Sequence, residues 1–270
     1  MNVESLEKNI LQIGKQAKEA SRYVSQLSTK SKNEILCSAA ENLLKNKDSI
    51  LKANELDIKE NKDKLNSATL DRLILDEKRI ESISNGLVEI SMLEDPVGKI
   101  IEKWSRPNGL EIEKISIPLG VIGVIYESRP NVSADAAGLC LKSGNALILR
   151  GGSESFNSSS KIVEIINRSY ENFKLPKGVL QYIPTKDRNA VGYLLAMDNY
   201  VDVIIPRGGR SLIERVINES KVHVIRHLDG ICHTYIHKSS IANLSKEVAI
   251  NAKMRRPGIC GATETILIDK

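Results

Sequence analysis

Apolar residues recur at three- and four-residue steps through the first third of the chain. Leu6, Ile10, Ile13, Ala17, Ala20 and Val24 fall on one face of a helix. Residues 31–45 predict a second helix, with Ile35, Leu36, Ala39, Leu43 and Leu44 inward. Residues 48–61 predict a third, and residues 69–93 one or two more, with Gly86 as a candidate break. The charged positions in between are solvated faces. No chemistry is visible before about residue 95.

The texture then changes. Residues 97–117 partly alternate, and Pro107-Asn108-Gly109 supplies a turn, so a β-hairpin is expected. Its unpaired edges suit either an arm for subunit pairing or a plain surface ribbon. From Pro118 onward strands alternate with helices. Residues 120–126 form a continuous apolar run, as in a parallel strand covered on both faces. Further strands are predicted at 146–149, 179–183, 201–205, 222–226 and 232–237. The helices between them fall at 134–142, 158–170, 189–197 and 211–218. A last helix, near 241–254, leads into a strand at 265–269 that reads as buried. Repeated βα units predict an α/β fold: N-terminal helices, then a doubly wound parallel sheet.

Composition narrows the class. A chain of 270 residues supports a sizeable core and one or two domains. Only 4% of residues are aromatic, so aliphatic side chains must fill that core. No apolar run reaches the length of a membrane span, and the N-terminus lacks the apolar centre of a signal peptide. Cys37, Cys140, Cys232 and Cys260 follow no disulfide spacing, which favours reduced thiols and a cytoplasmic protein. The net charge of +5 is spread among 34 acidic and 39 basic residues. That pattern fits small anionic ligands and gives no nucleic-acid arm.

The candidate chemistry sits in loops. Cys260 lies between Gly258 and Gly261, on a turn that Pro257 and Gly258 set off from the preceding helix. Arg255 and Arg256 lie just upstream, and nearby positive charge favours the thiolate. Most free cysteines are small buried hydrophobes, so the residues alone leave both readings open. In doubly wound sheets, ligands bind beyond the carboxyl ends of the strands. Two loops there combine arginine with glycine: Arg150, Gly151, Gly152 and Ser153, then Arg207, Gly208 and Gly209. Each leads into a helix whose first N–H groups can meet a phosphate. Arginine near a cofactor ribose suits a 2′-phosphate, hence NADP rather than NAD. Ordinary tight turns would look the same. Asn131, in a third such loop, can donate to an oxyanion or cap the next helix. The histidines at 223, 227, 233 and 237 match no zinc spacing, and no metal is expected; His227 is the better functional candidate.

Five stretches then point to a family. They are residues 120–132 (Gly-Val-Ile-Gly-Val-Ile-Tyr-Glu-Ser-Arg-Pro-Asn-Val), 141–146 with 150–153, 206–210 (Pro-Arg-Gly-Gly-Arg), 227–233 (His-Leu-Asp-Gly-Ile-Cys-His) and 256–260 (Arg-Pro-Gly-Ile-Cys). In this order they resemble the gamma-glutamyl phosphate reductases (glutamate-5-semialdehyde dehydrogenases) of the aldehyde dehydrogenase superfamily. The resemblance implies that Cys260 is the catalytic nucleophile and Asn131 the oxyanion donor. It implies that Arg150 stands where the superfamily places a lysine on the cofactor ribose. The implied cofactor is NADPH and the implied substrate L-glutamyl 5-phosphate. Residues 1–96 and 118–237 would be the NADP-binding domain and 97–117 an oligomerisation arm; 238–270 would begin the catalytic domain. Arg255 and Arg256 are candidates for the substrate's phosphate or carboxylate. Homo-oligomers, and coupling to glutamate 5-kinase, are expected partnerships.

Two departures stand out. The superfamily usually carries a general-base glutamate in a Glu-Leu-Gly-Gly stretch, where this chain has His227-Leu-Asp-Gly230. A hydrolytic dehydrogenase needs that base to activate water. An enzyme that exchanges its thioester with phosphate does not, and losing the base protects the thioester. The chain also stops ten residues after Cys260, which implies that the family's large C-terminal portion is missing. Two alternatives therefore stand beside the reductase: a generic semialdehyde dehydrogenase, and a catalytically incomplete nucleotide-binding module.

Overall fold

The computed structural model describes residues 3–227, 230–257 and 259–270. The chain divides into two compact units, one ending at Ile225 and the other beginning at Arg226.

The first unit opens with five helices: α1 (Val3–Val24), α2 (Thr29–Lys45), α3 (Lys47–Asn61), α4 (Ser67–Leu73) and α5 (Glu77–Met92). The predicted 69–93 segment is indeed two helices, but they divide at residues 74–76 and not at Gly86. The cause is a cap. The Asp76 carboxylate accepts the Arg79 N–H at 2.7 Å and starts α5 there. Gly86 costs the helix about 1 kcal/mol, and α5 runs through it because its Ile80, Ile83 and Leu87 are buried.

The hairpin follows as β1 (Ile100–Ser105) and β2 (Glu111–Ile115), antiparallel. Gly109 turns it with φ +85, a conformation open to glycine, and its N–H meets the Arg106 carbonyl at 2.9 Å. Every β1 residue is exposed, including Ile100, Ile101 and Trp104.

The α/β region then runs β3 (Val121–Tyr126), α6 (Val132–Lys142), β4 (Ala146–Gly151), α7 (Phe156–Asn172), β5 (Leu180–Tyr182), α8 (Asn189–Leu195), β6 (Val203–Arg207), α9 (Arg210–Glu219) and β7 (His223–Val224). The five strands form one parallel sheet in the order β5-β4-β3-β6-β7. The chain builds outward from β3 through β4 to β5, then returns to the other side of β3 for β6. The switch point therefore lies between β3 and β6. One face of the sheet packs against α2, α5, α6 and α7 through Leu36, Leu87, Leu141, Ile162 and Ile166. The other packs against α1, α8 and α9 through Ile10, Leu194 and Val216. All six residues of β3 and of β4 are buried, as their apolar sequence requires. Strand β7 is shorter than the predicted 222–226.

The second unit holds β8 (Cys232–Ile236), α10 (Ala242–Met254) and β9 (Thr263–Ile268), with β8 and β9 parallel. The strand near 265–269 was expected to be buried. Instead Ile266, Leu267 and Ile268 are exposed, and α10 has no buried residue. Two strands and one helix offer too little surface to cover an apolar run on both faces. Among the described residues, no helix is long and apolar enough to cross a membrane.

Candidate functional site

A cleft of about 350 Å³ opens at the carboxyl ends of the central strands. Its floor is Ile125, Tyr126 and Glu127 from β3 and the turn after it. One wall is Arg150, Gly152, Ser153 and Glu154, which follow β4. Arg188 and Val191 at α8, and Ser211, Leu212 and Arg215 of α9, close the other side. It lies at the topological switch point, where open α/β sheets bind ligands.

Arg150, Gly152 and Ser153 of the first arginine–glycine loop line it, whereas Arg207, Gly208 and Gly209 of the second do not. Arg150 is 5% exposed. Its Nη1 donates to the Gly151 carbonyl, and Nη2 reaches the Asp187 carbonyl at 3.3 Å. Its Nε has no partner among the described residues, an orphaned donor beside the cleft. Burial pushes the guanidinium's pKa down, partly offset by the neighbouring Tyr182, Glu154 and Tyr126. The same burial raises the Tyr126 hydroxyl to about 12 and pushes Tyr182 up as well. Both phenols therefore stay protonated at neutral pH. Tyr126 shares a hydrogen bond with Ser133 at 2.7 Å. A Cβ at Gly152 would sit 2.2 Å from Glu154 Oε1, so a side chain there must displace that carboxylate.

The helix starts after these loops were expected to offer free N–H groups to a phosphate. The structure spends several of them on the protein's own carboxylates. Asp57, fully buried on α3, accepts the Asn157 N–H at 3.0 Å and the Ser158 N–H at 2.8 Å, in the first turn of α7. Glu127 accepts the Gly209 N–H at 2.8 Å, at the start of α9. Glu154 accepts from the Ser128 N–H at 2.6 Å and the Ser128 hydroxyl at 2.7 Å. Ser128 pays for that contact with a φ of +42. Arginine also lines the cleft: Arg188, and Arg215, whose Nε pairs with Glu219 at 3.0 Å, while Arg207 is exposed at the end of β6. Residue pattern alone missed Glu127, Glu154, Arg188 and Arg215. Only the position of the first two just after strand ends hinted at them.

Asn131 lies in the same unit, at the start of α6. It makes no side-chain cap. Its Nδ2 donates to Asp135 Oδ2 at 3.0 Å, which leaves one amide proton. Burial raises the Asp135 pKa, against the Asn131 hydrogen bond that lowers it.

In the second unit, Ala262 N–H donates to the Ile259 carbonyl at 3.1 Å, closing a turn with Cys260 and Gly261 at its tip. Cys260 is an exposed free thiol, as its place on a turn leads one to expect. Its carbonyl accepts from Cys232 Sγ at 3.3 Å. Gly230 packs so closely that a Cβ there would fall 2.0 Å from the same carbonyl. Arg255 ends α10, and both it and Arg256 are exposed. His227 is exposed. Leu228 and Asp229 of its stretch, and Gly258 before Cys260, lie outside the described residues. His233 turns to the Ile231 carbonyl and His237 to Ser239 and Asp269. Among the described residues no three metal-ligating side chains come together.

Comparison with known proteins gives this arrangement a lineage. The model of the aldehyde dehydrogenase family matches residues 4–269. A gamma-glutamyl phosphate reductase of Paramagnetospirillum magneticum is 50% identical over 96% of this chain and 61% of its own length. One from Clostridium tetani is 46% identical over 99% of this chain and 63% of its own. The crystal structure of gamma-glutamyl phosphate reductase from Thermotoga maritima superposes with a TM-score of 0.89 at 35% identity, covering 97% of this chain and 63% of that one. The chain thus spans about three fifths of the length of these relatives. A parallel sheet with a cleft at its switch point, an exposed cysteine on a glycine-flanked turn, and a match running nearly end to end place this chain in the aldehyde dehydrogenase family.

Proposed function

We propose that the chain carries the cofactor cleft and the nucleophile of a gamma-glutamyl phosphate reductase. The reaction is reduction of L-glutamyl 5-phosphate to L-glutamate 5-semialdehyde and phosphate, a step toward proline. The observation that carries the reading is 50% identity to a protein of that name over 96% of the chain. Aldehyde dehydrogenases use a nicotinamide cofactor, and the cleft fits one. It has an orphaned buried donor in Arg150 Nε and a wall at Gly152 where a Cβ would have to displace the Glu154 carboxylate. Gly152 and Ser153 line the cleft; Gly151, Gly208 and Gly209 stand beside it as further candidates for the cofactor, although Glu127 already holds the Gly209 N–H. Arg150 and Arg188 supply the positive charge that favours NADPH over NADH. NADPH, when bound, supplies the hydride.

The chemistry of the chain's own residues is acyl transfer. The Cys260 thiolate attacks the acyl carbon, a carbon–sulfur bond forms, and phosphate leaves with the electron pair of the broken carbon–oxygen bond. The exposed turn gives that sulfur access to the substrate. Asn131 keeps one N–H to donate to an oxyanion. Arg255 and Arg256 are exposed cations suited to the substrate's phosphate or carboxylate. No glutamate stands in the 227–230 stretch to activate water, so the thioester partitions toward reduction. The exposed apolar hairpin, with Ile100, Ile101 and Ile115 outward, suits pairing with a second copy. Glutamate 5-kinase is the natural source of the acyl phosphate.

The test runs the reaction backwards: NADP reduction with L-glutamate 5-semialdehyde, with and without inorganic phosphate. Phosphate-dependent reduction is the expected result. Phosphate-independent reduction would move the protein to the hydrolytic dehydrogenases, and no reduction in either condition would make the chain a catalytically incomplete nucleotide-binding module of the same family.

A further inference from the structure

Two of the four cysteines meet in the second unit, and the proposed chemistry uses only one of them. Cys260 sits at the tip of the turn closed by Ile259 and Ala262, and its thiol is exposed. Cys232 opens β8, is half-buried, and points its sulfur at the Cys260 backbone, 3.3 Å from the carbonyl oxygen. The parallel register sets Cys232 opposite Thr263, three residues after Cys260, and the register shifts immediately after Cys232. The ladder is therefore irregular at the point where the two residues approach. The Cys260 turn has room to adjust, since the nearest atom to a Cβ at Gly261 would be 4.0 Å away. The other two thiols are placed differently. Burial raises the Cys140 thiol to about 12 and silences it, and Cys37 faces Ser91 at 3.6 Å.

We propose that Cys232 is a resolving cysteine for Cys260, and that the pair closes a reversible disulfide under peroxide. In the first step the Cys260 thiolate attacks hydrogen peroxide. The O–O bond breaks, sulfur loses two electrons, and peroxide leaves as hydroxide, protonated to water; Cys260 becomes a sulfenic acid. In the second step the Cys232 sulfur attacks that sulfenic sulfur. The S–S bond forms, the S–O bond breaks, and the departing hydroxide takes the Cys232 proton as a second water. A dithiol reductant returns both thiols by exchange. The consequence is protective. A lone exposed nucleophilic thiol climbs to sulfinic and sulfonic acids that dithiols do not reverse, whereas a disulfide stops the climb. In a reducing compartment such a bond is transient, as redox-sensing disulfides are. Formation of the bond rests on the approach of the Cys232 sulfur to the Cys260 backbone; its effect on turnover rests on Cys260 being the nucleophile.

The test treats the protein with hydrogen peroxide, digests it without reductant and maps the peptides by mass. The expected product is a crosslink between the peptides carrying Cys232 and Cys260, two hydrogens lighter than their sum and absent after dithiothreitol. Cys232→Ser keeps a hydroxyl donor for the Cys260 carbonyl but removes the resolving sulfur. Irreversibly oxidised Cys260 should rise about tenfold in that variant relative to the parent. Parent protein with Cys260 in the sulfinic state and Cys232 still a free thiol would overturn the proposal. So would equal recovery of parent and Cys232→Ser by dithiothreitol. The mass readout does not use activity. Full turnover by Cys260→Ala would sink the nucleophile assignment and leave the crosslink result standing.

Discussion

Asp57 holds the first turn of α7 from a neighbouring helix, and replacing it with alanine should loosen the wall that carries Arg150 and Glu154. Its carboxylate is fully buried and takes four hydrogen bonds. They come from Asn157 N–H at 3.0 Å, Asn157 Nδ2 at 2.9 Å, Ser158 N–H at 2.8 Å and Ser158 Oγ at 2.5 Å. Losing a helix cap costs about 1 kcal/mol, and each buried donor left unsatisfied adds about 1–3 kcal/mol. Alanine avoids burying a charge, which returns part of that sum. A net loss of about 3 kcal/mol follows, or about 9 °C of melting temperature for a unit of this size. The loss should depend on pH. Burial raises the Asp57 pKa above its ordinary 3.8, against the four hydrogen bonds that lower it. A raised folded-state pKa contributes stability that is complete below the unfolded pKa and is lost as pH rises through the folded one. Parent protein thus gives up part of its advantage between mildly acid and neutral pH, and Asp57→Ala should cost more at pH about 4 than at pH about 7. Thermal melts of both proteins across that range decide it. A shift below about 2 °C, or a penalty that grows with pH, would refute the argument.

Three further outcomes follow from the same structure. Lys32 is almost fully buried and pairs with Asp95 at 2.9 Å; Asp95→Asn strands that charge and should cost about 3–5 kcal/mol in urea unfolding. Burial alone would raise the Asp95 carboxyl, but bonds from Val97 N–H, Lys32 and Thr29 win and lower its pKa. Its stabilisation is therefore present above the unfolded pKa and lost as pH falls through the folded one, so the variant's penalty should shrink in acid. In the native protein, iodoacetamide should label Cys260 and spare Cys140, whose buried thiol is raised to about 12; peptide mapping that finds Cys140 labelled first would contradict the burial. Gly152→Val must push Glu154 off Ser128, and NADPH affinity should fall about tenfold, or 1.4 kcal/mol, in a fluorescence titration.

Much of the fold was legible because its signals are local. The helical periodicity of the first third, the Asn108-Gly109 turn and the apolar runs at 121–126 and 146–149 all became the expected elements. The turn at Cys260 was legible for the same reason. At the α4–α5 boundary one local signal outweighed another: Gly86 was the break candidate, yet the Asp76 cap set the start of the helix. The other misreadings involve partners distant in sequence or the number of packed elements. The arginine–glycine loops suggested bare helix starts, but Asp57 reaches α7 from a hundred residues away and Glu127 reaches Gly209 from eighty-two. The apolar run in β9 implied burial, which depends on how many elements pack around it. Cys232 gave no signal of its own, because only the parallel pairing of β8 with β9 brings it to Cys260.

The proposed site of a phosphorylated nicotinamide cofactor is the cleft at the β3–β6 switch point. Equilibrium titration of the protein with NADPH and with NADH, repeated on Arg188→Glu, probes it. Arg188 lines the cleft and adds positive charge beside Arg150. NADPH should bind saturably and about tenfold or more weakly after the substitution, with NADH affected less. NADPH binding that is absent in the parent, or unchanged in the variant, would contradict it.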